Sequence, residues 1–173
     1  MRIENSGQPN KKILFLAQAA IIAALYAGLC YAGFGVSFGP WQFRFAEALT
    51  LLPALTPAAI PGLTVGCILA NLGSPFGLVD IIFGSLASLF AALCAYWLRG
   101  VQFKKLPLLS ALMPVAFNGV IIGAILAHML FDSFTWTNML VMGGQVALSE
   151  LVICFALGLP LVALLRRTKL FEQ

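Results

Sequence analysis

The chain has 173 residues, a length that suggests one domain, and it is 61% hydrophobic and only 9% charged, where an average soluble domain is about 25% charged. Ten Lys/Arg and six Asp/Glu are too few to coat a water-facing particle, and so apolar a sequence is not intrinsically disordered either. Both classes are excluded, and what remains is an integral membrane protein, which its ~20-residue apolar runs make all-α. The net charge of +4 comes from basic blocks that flank apolar runs, a pattern that orients membrane spans rather than one that binds nucleic acid.

Residues 1–12, with Arg2, Lys11 and Lys12, are predicted to form a cytoplasmic N-terminal segment. The first apolar run goes from Ile13 to about Phe34, long enough for the ~20 residues that cross a bilayer. Ala27-Gly28-Leu29-Cys30 resembles a lipoprotein cleavage box, but Leu29 is too large for that role, so the span is read as retained. This helix carries two ridges of small residues, Ala19/Ala23/Ala27 and Ala20/Ala24/Gly28. Such ridges allow close helix approach, either within the bundle or as a docking face for another membrane subunit.

A loop over 34–44 follows, rich in Gly and aromatics (Gly35, Gly39, Pro40, Trp41, Phe43), with Gly33 just before it. It is read either as a cap over a cavity or as an interfacial aromatic anchor. From Phe45 to Leu72 the chain is apolar but punctuated by Pro53, Pro57 and Pro61, each of which removes a helical hydrogen bond. Further spans are predicted at Leu78–Leu98, Leu108 to about Phe131, and about Asn138–Leu165. Charge decides how often the middle segment crosses. If it descends and returns, as helices of about Phe45–Thr56 and Ala58–Leu72, then every basic block lies on one side. Those blocks include Arg99/Lys104/Lys105 and Arg166/Arg167/Lys169, and Arg44 alone is left outside. The prediction is therefore a six-transmembrane-helix bundle over 13–165 with both termini cytoplasmic, a basic tail at 166–173, and outer loops at 34–44, 73–77 and 132–138. A re-entrant hairpin gives the same parity. The sequence contains no internal repeat of the kind that marks many secondary carriers.

Polar groups in the hydrocarbon region cost a few kcal/mol and are functional candidates by default. They are Arg44, Glu47, Asn71, Asp80, Asn118, His128, Gln145 and Glu150. In the predicted topology all lie at mid-depth or above, which suggests a pocket open to the outside. Arg44 and Glu47, three apart, would share a helix face and form either an ion pair or part of the site. Asp80 is either a ligand group or a helix cap. Glu150 is too deep to cap or to snorkel and must bind something, be protonated, or pair with Arg44. Asn118 and Gln145 serve either the site or helix association; His128 reads as a boundary residue. Carboxylates, amides and the aromatics Trp41, Phe43 and Trp136 suit a small planar ligand: one carboxylate accepts from a guanine-like edge while a second neutralises a ligand amine.

Cys30, Cys67, Cys94 and Cys154 are scattered in apolar stretches and read as packing residues. A single His excludes a two-His metal site, and the chain contains neither a phosphate-binding G-x-x-x-x-G-K-[ST] nor a credible Ser/His/Asp set. No catalytic role, metal or cofactor is therefore expected.

Three stretches carry a family resemblance: Phe38-Gly-Pro-Trp-Gln-Phe-Arg-Phe-Ala-Glu-Ala-Leu-Thr-Leu-Leu-Pro53, Ile60-Pro-Gly62-x-x-x-Gly66-Cys67-x-x-Ala70-Asn71, and Asp80-Ile-Ile-Phe-Gly84-Ser85-Leu-Ala87. They resemble the QueT family over roughly 13–165, specifically from 38 to 88 and more loosely after 105, through Pro114, Asn118 and Gly158-Leu-Pro160. The resemblance implies a six-helix substrate-binding (S) component of an energy-coupling factor importer. Such a component captures a queuosine precursor or queuine, a 7-deazaguanine, from outside and docks on a transmembrane coupling subunit driven by two cytoplasmic ATPases. The substrate-binding candidates are then Trp41, Gln42, Arg44, Glu47, Asn71, Asp80, Asn118, Gln145 and Glu150, and the docking candidates Ala19, Ala20, Ala23, Ala24 and Ala27. The alternative is a self-sufficient secondary transporter of a small polar metabolite.

Overall fold

The computed structural model describes residues 10–39, 41–131 and 133–168. Arg2, Pro40, Asp132 and Lys169, with the rest of 1–9 and 169–173, lie outside the described residues. Helix α1 (Lys11–Ala32) opens on Asn10, whose side chain accepts from the Lys12 backbone N–H as an N-cap. A one-turn helix, Phe34–Ser37, leads into α2 (Phe45–Ala54), wound as a 3-10 helix. Next come α3 (Ala59–Asn71), α4 (Asp80–Gly100), α5 (Leu108–Met129) and α6 (Trp136–Thr168). Among the described residues α1, α4, α5 and α6 are long and apolar enough to cross a membrane, and α2 and α3 are shorter apolar helices. The boundaries fall within three residues of those predicted from the sequence.

Helix α2 departs most from a regular element. A 3-10 run of ten residues is unusually long. Its ~2 Å rise per residue carries ten residues across ~20 Å, about the length of the thirteen-residue α3. Every residue from Ala46 to Ala54 is buried, so α2 runs through the centre of the bundle rather than along its rim. The prolines are absorbed locally: Pro53 ends α2, Pro57 lies in the turn, and Pro61 occupies the first turn of α3, where the helix makes no N–H bond to lose.

Glycine decides the two closest helix pairs. A methyl group on Gly62 or Gly66 would stand 2.8 Å or 2.9 Å from the carbonyl oxygen of Ala19 or Ala23, so α3 presses directly on the α1 backbone. Gly119 and Gly123 of α5 face Gly143 and Ala147 of α6 in the same way, and a methyl on Gly123 would meet the Gly143 Cα at 2.4 Å. Small residues four apart are the membrane solution to close packing, because lipid supplies no hydrophobic push between helices.

This packing divides the alanine ridges of α1. Ala23 is buried and Ala19 and Ala27 are half-buried, the first two against the α3 glycines. The docking expectation for that ridge therefore gives way to packing inside the bundle. Ala20, Ala24 and Gly28 are exposed, and among the described residues nothing comes within 4 Å of a methyl placed at Gly28.

At one end of the bundle Arg166 of α6 donates from Nη1 to the Lys105 carbonyl and to Gln102 Oε1 at 3.1 Å, so two basic blocks meet there. Leu55 of the α2–α3 turn packs against the same apolar cluster as Leu106 and Leu108, which adjoin the 102–105 loop.

Candidate functional site

Of the polar residues singled out in the sequence, Gln42, Arg44, Glu47, Asn118 and Glu150 converge on one cavity. Gly84, Ser88, Ile122 and Val146 complete its lining, between α2, α4, α5 and α6. Its volume is about 10 Å³, room for a single water molecule.

Arg44 precedes α2 in an extended conformation (φ −97°, ψ 109°), so it does not share a helix face with Glu47 and the two do not pair. Its guanidinium donates through Nε to the Ser37 carbonyl at 3.0 Å and through Nη1 to Asn71 Oδ1 at 3.2 Å. It also donates through Nη2 to Asp80 Oδ2 at 3.4 Å, the ion pair of the site. Phe38 lies under it, 4.9 Å from the ring centre to Cζ, a cation–π contact in a desolvated setting.

Asp80, read as a possible helix cap, is instead the partner of Arg44 from 36 residues away. It opens a π turn over Asp80–Gly84, the one-turn bulge often found where a helix carries function. Asn71 ties the pair down, donating from Nδ2 to the Asp80 carbonyl at 2.8 Å. Gly84 makes room for this nest: a methyl there would stand 2.7 Å from Asn71 Nδ2 and 3.0 Å from Asp80 Oδ1. Asn71 and Asp80 thus position Arg44 without lining the cavity themselves.

Glu47 is 2% exposed. Its Oε1 accepts from the Tyr26 hydroxyl of α1, while its Oε2 is buried without a partner. Its carbonyl accepts from Thr50 Oγ1 at 2.5 Å and from Cys154 Sγ at 3.8 Å. Glu150 Oε1 accepts from Asn118 Nδ2 at 2.6 Å, and its Oε2 has only the Cys154 thiol, at 3.9 Å. Cys154 itself begins a second π turn, Cys154–Gly158. Gln42 is 3% exposed, its backbone is left-handed at φ 49°, and neither atom of its side-chain amide has a partner.

The aromatic expectations are not met. Trp41 is 54% exposed and Trp136 is 74% exposed. Trp41 and Phe43 line a separate open groove of about 470 Å³ with Gly35, Val36, Gly39, Leu148, Ser149 and Val152. The chain reverses at Gln42, so Gln42 turns inward between two aromatics that turn out. Among the described residues no aromatic ring lines the polar cavity. Gln145 is half-buried on α6 outside that cavity, its Oε1 unpartnered, and His128 is exposed. Among the described residues no cluster of three metal-ligating side chains forms, and the cysteines are free.

Sequence reasoning passed over Tyr26, Ser88, Ile122, Val146 and Cys154. The signal for Tyr26 was present: a hydroxyl-bearing side chain in the middle of an apolar span needs a partner there.

Several membrane-length helices around a buried polar cavity define a multi-pass membrane protein with an internal site, the class to which carriers belong. Residues 16–167 match the model of the family described as QueT transporter, and the chain belongs to that transporter family. A relative named "Queuosine precursor transporter QueT", from Lactococcus lactis subsp. cremoris (strain MG1363), is 39% identical over 72 residues. That match covers 40% of this chain and 42% of the relative, so it spans less than half of the relative's length. No solved structure matches.

Proposed function

We propose that the protein is the membrane-embedded capture subunit of an ATP-driven energy-coupling factor importer, taking up a queuosine precursor or queuine from outside. The observation that carries this reading is the set of unpartnered atoms at one cavity. Gln42 Nε2 is a donor, Gln42 Oε1 and Glu47 Oε2 are acceptors, and all three are buried and unused. A buried polar group without a partner costs about 1–3 kcal/mol, which a ligand edge bearing one acceptor and two donors recovers. The guanine-type edge of a 7-deazaguanine has that pattern, its carbonyl facing the Gln42 amide nitrogen and its ring N–H and amine facing the two acceptors. The printed name of the Lactococcus relative supports the same ligand class.

A two-ring ligand needs a pocket far larger than 10 Å³, so the walls must part on binding. Gly35 and Gly39 border the open groove that faces α6, so this is the side on which the wall has room to give while Arg44 keeps its hold on Ser37. Leu55 of the α2–α3 turn packs on the same apolar cluster as Leu106 and Leu108 beside the basic 102–105 loop, which supports a middle segment that descends and returns, and with it six crossings and both termini inside. The exposed ridge Ala20/Ala24/Gly28 supports docking of α1 on a coupling subunit.

Calorimetry of the purified chain against guanine, its 7-deaza derivatives and queuine tests the ligand. We expect at least one 7-deazaguanine to bind tenfold or more tighter than guanine, about 1.4 kcal/mol; absence of binding by the whole panel overturns the reading. Uptake by the chain alone in vesicles under an ion gradient would instead establish a secondary carrier. Ala24→Trp is expected to abolish co-purification with the coupling subunit and leave ligand affinity within twofold. Normal co-purification would remove that ridge from the interface.

A further inference from the structure

The charge census of the cavity is unbalanced. Among the described residues the cavity wall and the groups that hold it contain one cation, Arg44, against three carboxyl groups, Asp80, Glu47 and Glu150. Arg44 is matched by Asp80 at 3.4 Å. The other titratable groups near the two glutamates are the Tyr26 phenol and the thiols of Cys30, Cys67 and Cys154, none of which is a cation. Glu47 and Glu150 therefore face the same small space with no positive charge of their own.

Their hydrogen bonds leave specific atoms open. Glu47 is held by Tyr26 through Oε1, and its Oε2 and the Gln42 amide stand at the same cavity wall, each without a partner. Glu150 is held by Asn118 through Oε1, and its Oε2 has only a thiol, a weak donor, at 3.9 Å. Burying an ionised carboxylate without a counter-ion is costly, and two in one cavity more so. A ligand that brings its own positive charge converts that cost into an attraction, because charge pairs are strong where water is excluded.

Resting on the queuosine-precursor reading above, we infer that the site selects a cationic ligand, one whose planar edge is read by Gln42 and Glu47 while a protonated amine meets Glu150. The selection is by charge and not by size, so it divides ligands that the edge-reading groups alone cannot tell apart. An aminomethyl or secondary-amine substituent is favoured over a nitrile on the same ring system.

The test compares 7-aminomethyl-7-deazaguanine with 7-cyano-7-deazaguanine by calorimetry on the full-length protein at pH 7, in buffered salt free of divalent cations. The amine is expected to bind at least tenfold tighter, and Glu150→Gln is expected to shrink that ratio to below threefold. Because the ratio is read first on the unaltered protein, a variant that fails to fold leaves the test intact. Equal affinity, or preference for the nitrile, overturns the charge selection while leaving the precursor reading in place. Binding of neither compound overturns the charge selection, and if queuine is unbound as well both readings fall. If the two affinities converge on addition of calcium or sodium, an inorganic cation is the occupant of the Glu150 position and the inference also fails.

Discussion

Arg44→Met is expected to destabilise the protein by about 3–5 kcal/mol, because removing one partner of a buried ion pair leaves the other charge uncompensated. The loss reaches beyond the pair. The guanidinium holds the Ser37 carbonyl, Asn71 Oδ1 and Asp80 Oδ2, and so links the connecting segment to α3 and to the π turn of α4. The double variant Arg44→Met/Asp80→Asn removes the stranded charge and leaves an amide able to donate to Asn71 Oδ1. It is expected to recover at least half of the loss in thermal or denaturant unfolding in detergent. If the double variant is as unstable as the single one, the damage comes from lost packing and the ion pair has no part in it.

That pair also shows where sequence reasoning stops. The helices were legible because twenty-residue apolar runs have few alternatives in a bilayer, and part of the polar cluster was legible because each such group is expensive there. Gln145 and His128, however, fall outside the cavity, and Tyr26 and Ser88 were passed over. The wiring of the cluster was not legible. The inference that Arg44 and Glu47 share a face assumed that both are helical, whereas Arg44 lies in extended backbone just before α2. Asp80 finds Arg44 across 36 residues and Glu150 finds Asn118 across 32, separations that no local spacing rule reports. The two π turns and the 3-10 winding of α2 were equally hidden, since each changes the register of side chains without changing the hydrophobic pattern. Aromatic content misled for a related reason: Trp41 and Gln42 are neighbours in sequence, but the backbone reversal at Gln42 sends them to different compartments.

Gln42→Gly separates function from stability in opposite directions. At φ 49° a side chain other than glycine's is strained, by roughly 1 kcal/mol for a left-handed residue, and the buried amide adds the cost of two unpartnered polar atoms. Glycine relieves both, the freer unfolded chain and the void left by the side chain take back part of the gain, and the net expectation is a gain of up to about 1 kcal/mol in unfolding free energy. The same change deletes one donor and one acceptor from the ligand edge. Affinity for a 7-deazaguanine is therefore expected to fall between tenfold and a hundredfold, about 1.4–2.8 kcal/mol. A residue retained only for packing would lose stability and leave binding alone. Strain and unsatisfied polarity kept together at one buried position mark a group whose partner arrives from outside the chain. Stability and affinity measured on one preparation of Gln42→Gly decide the matter, and a fall in stability with unchanged affinity would place Gln42 in the scaffold.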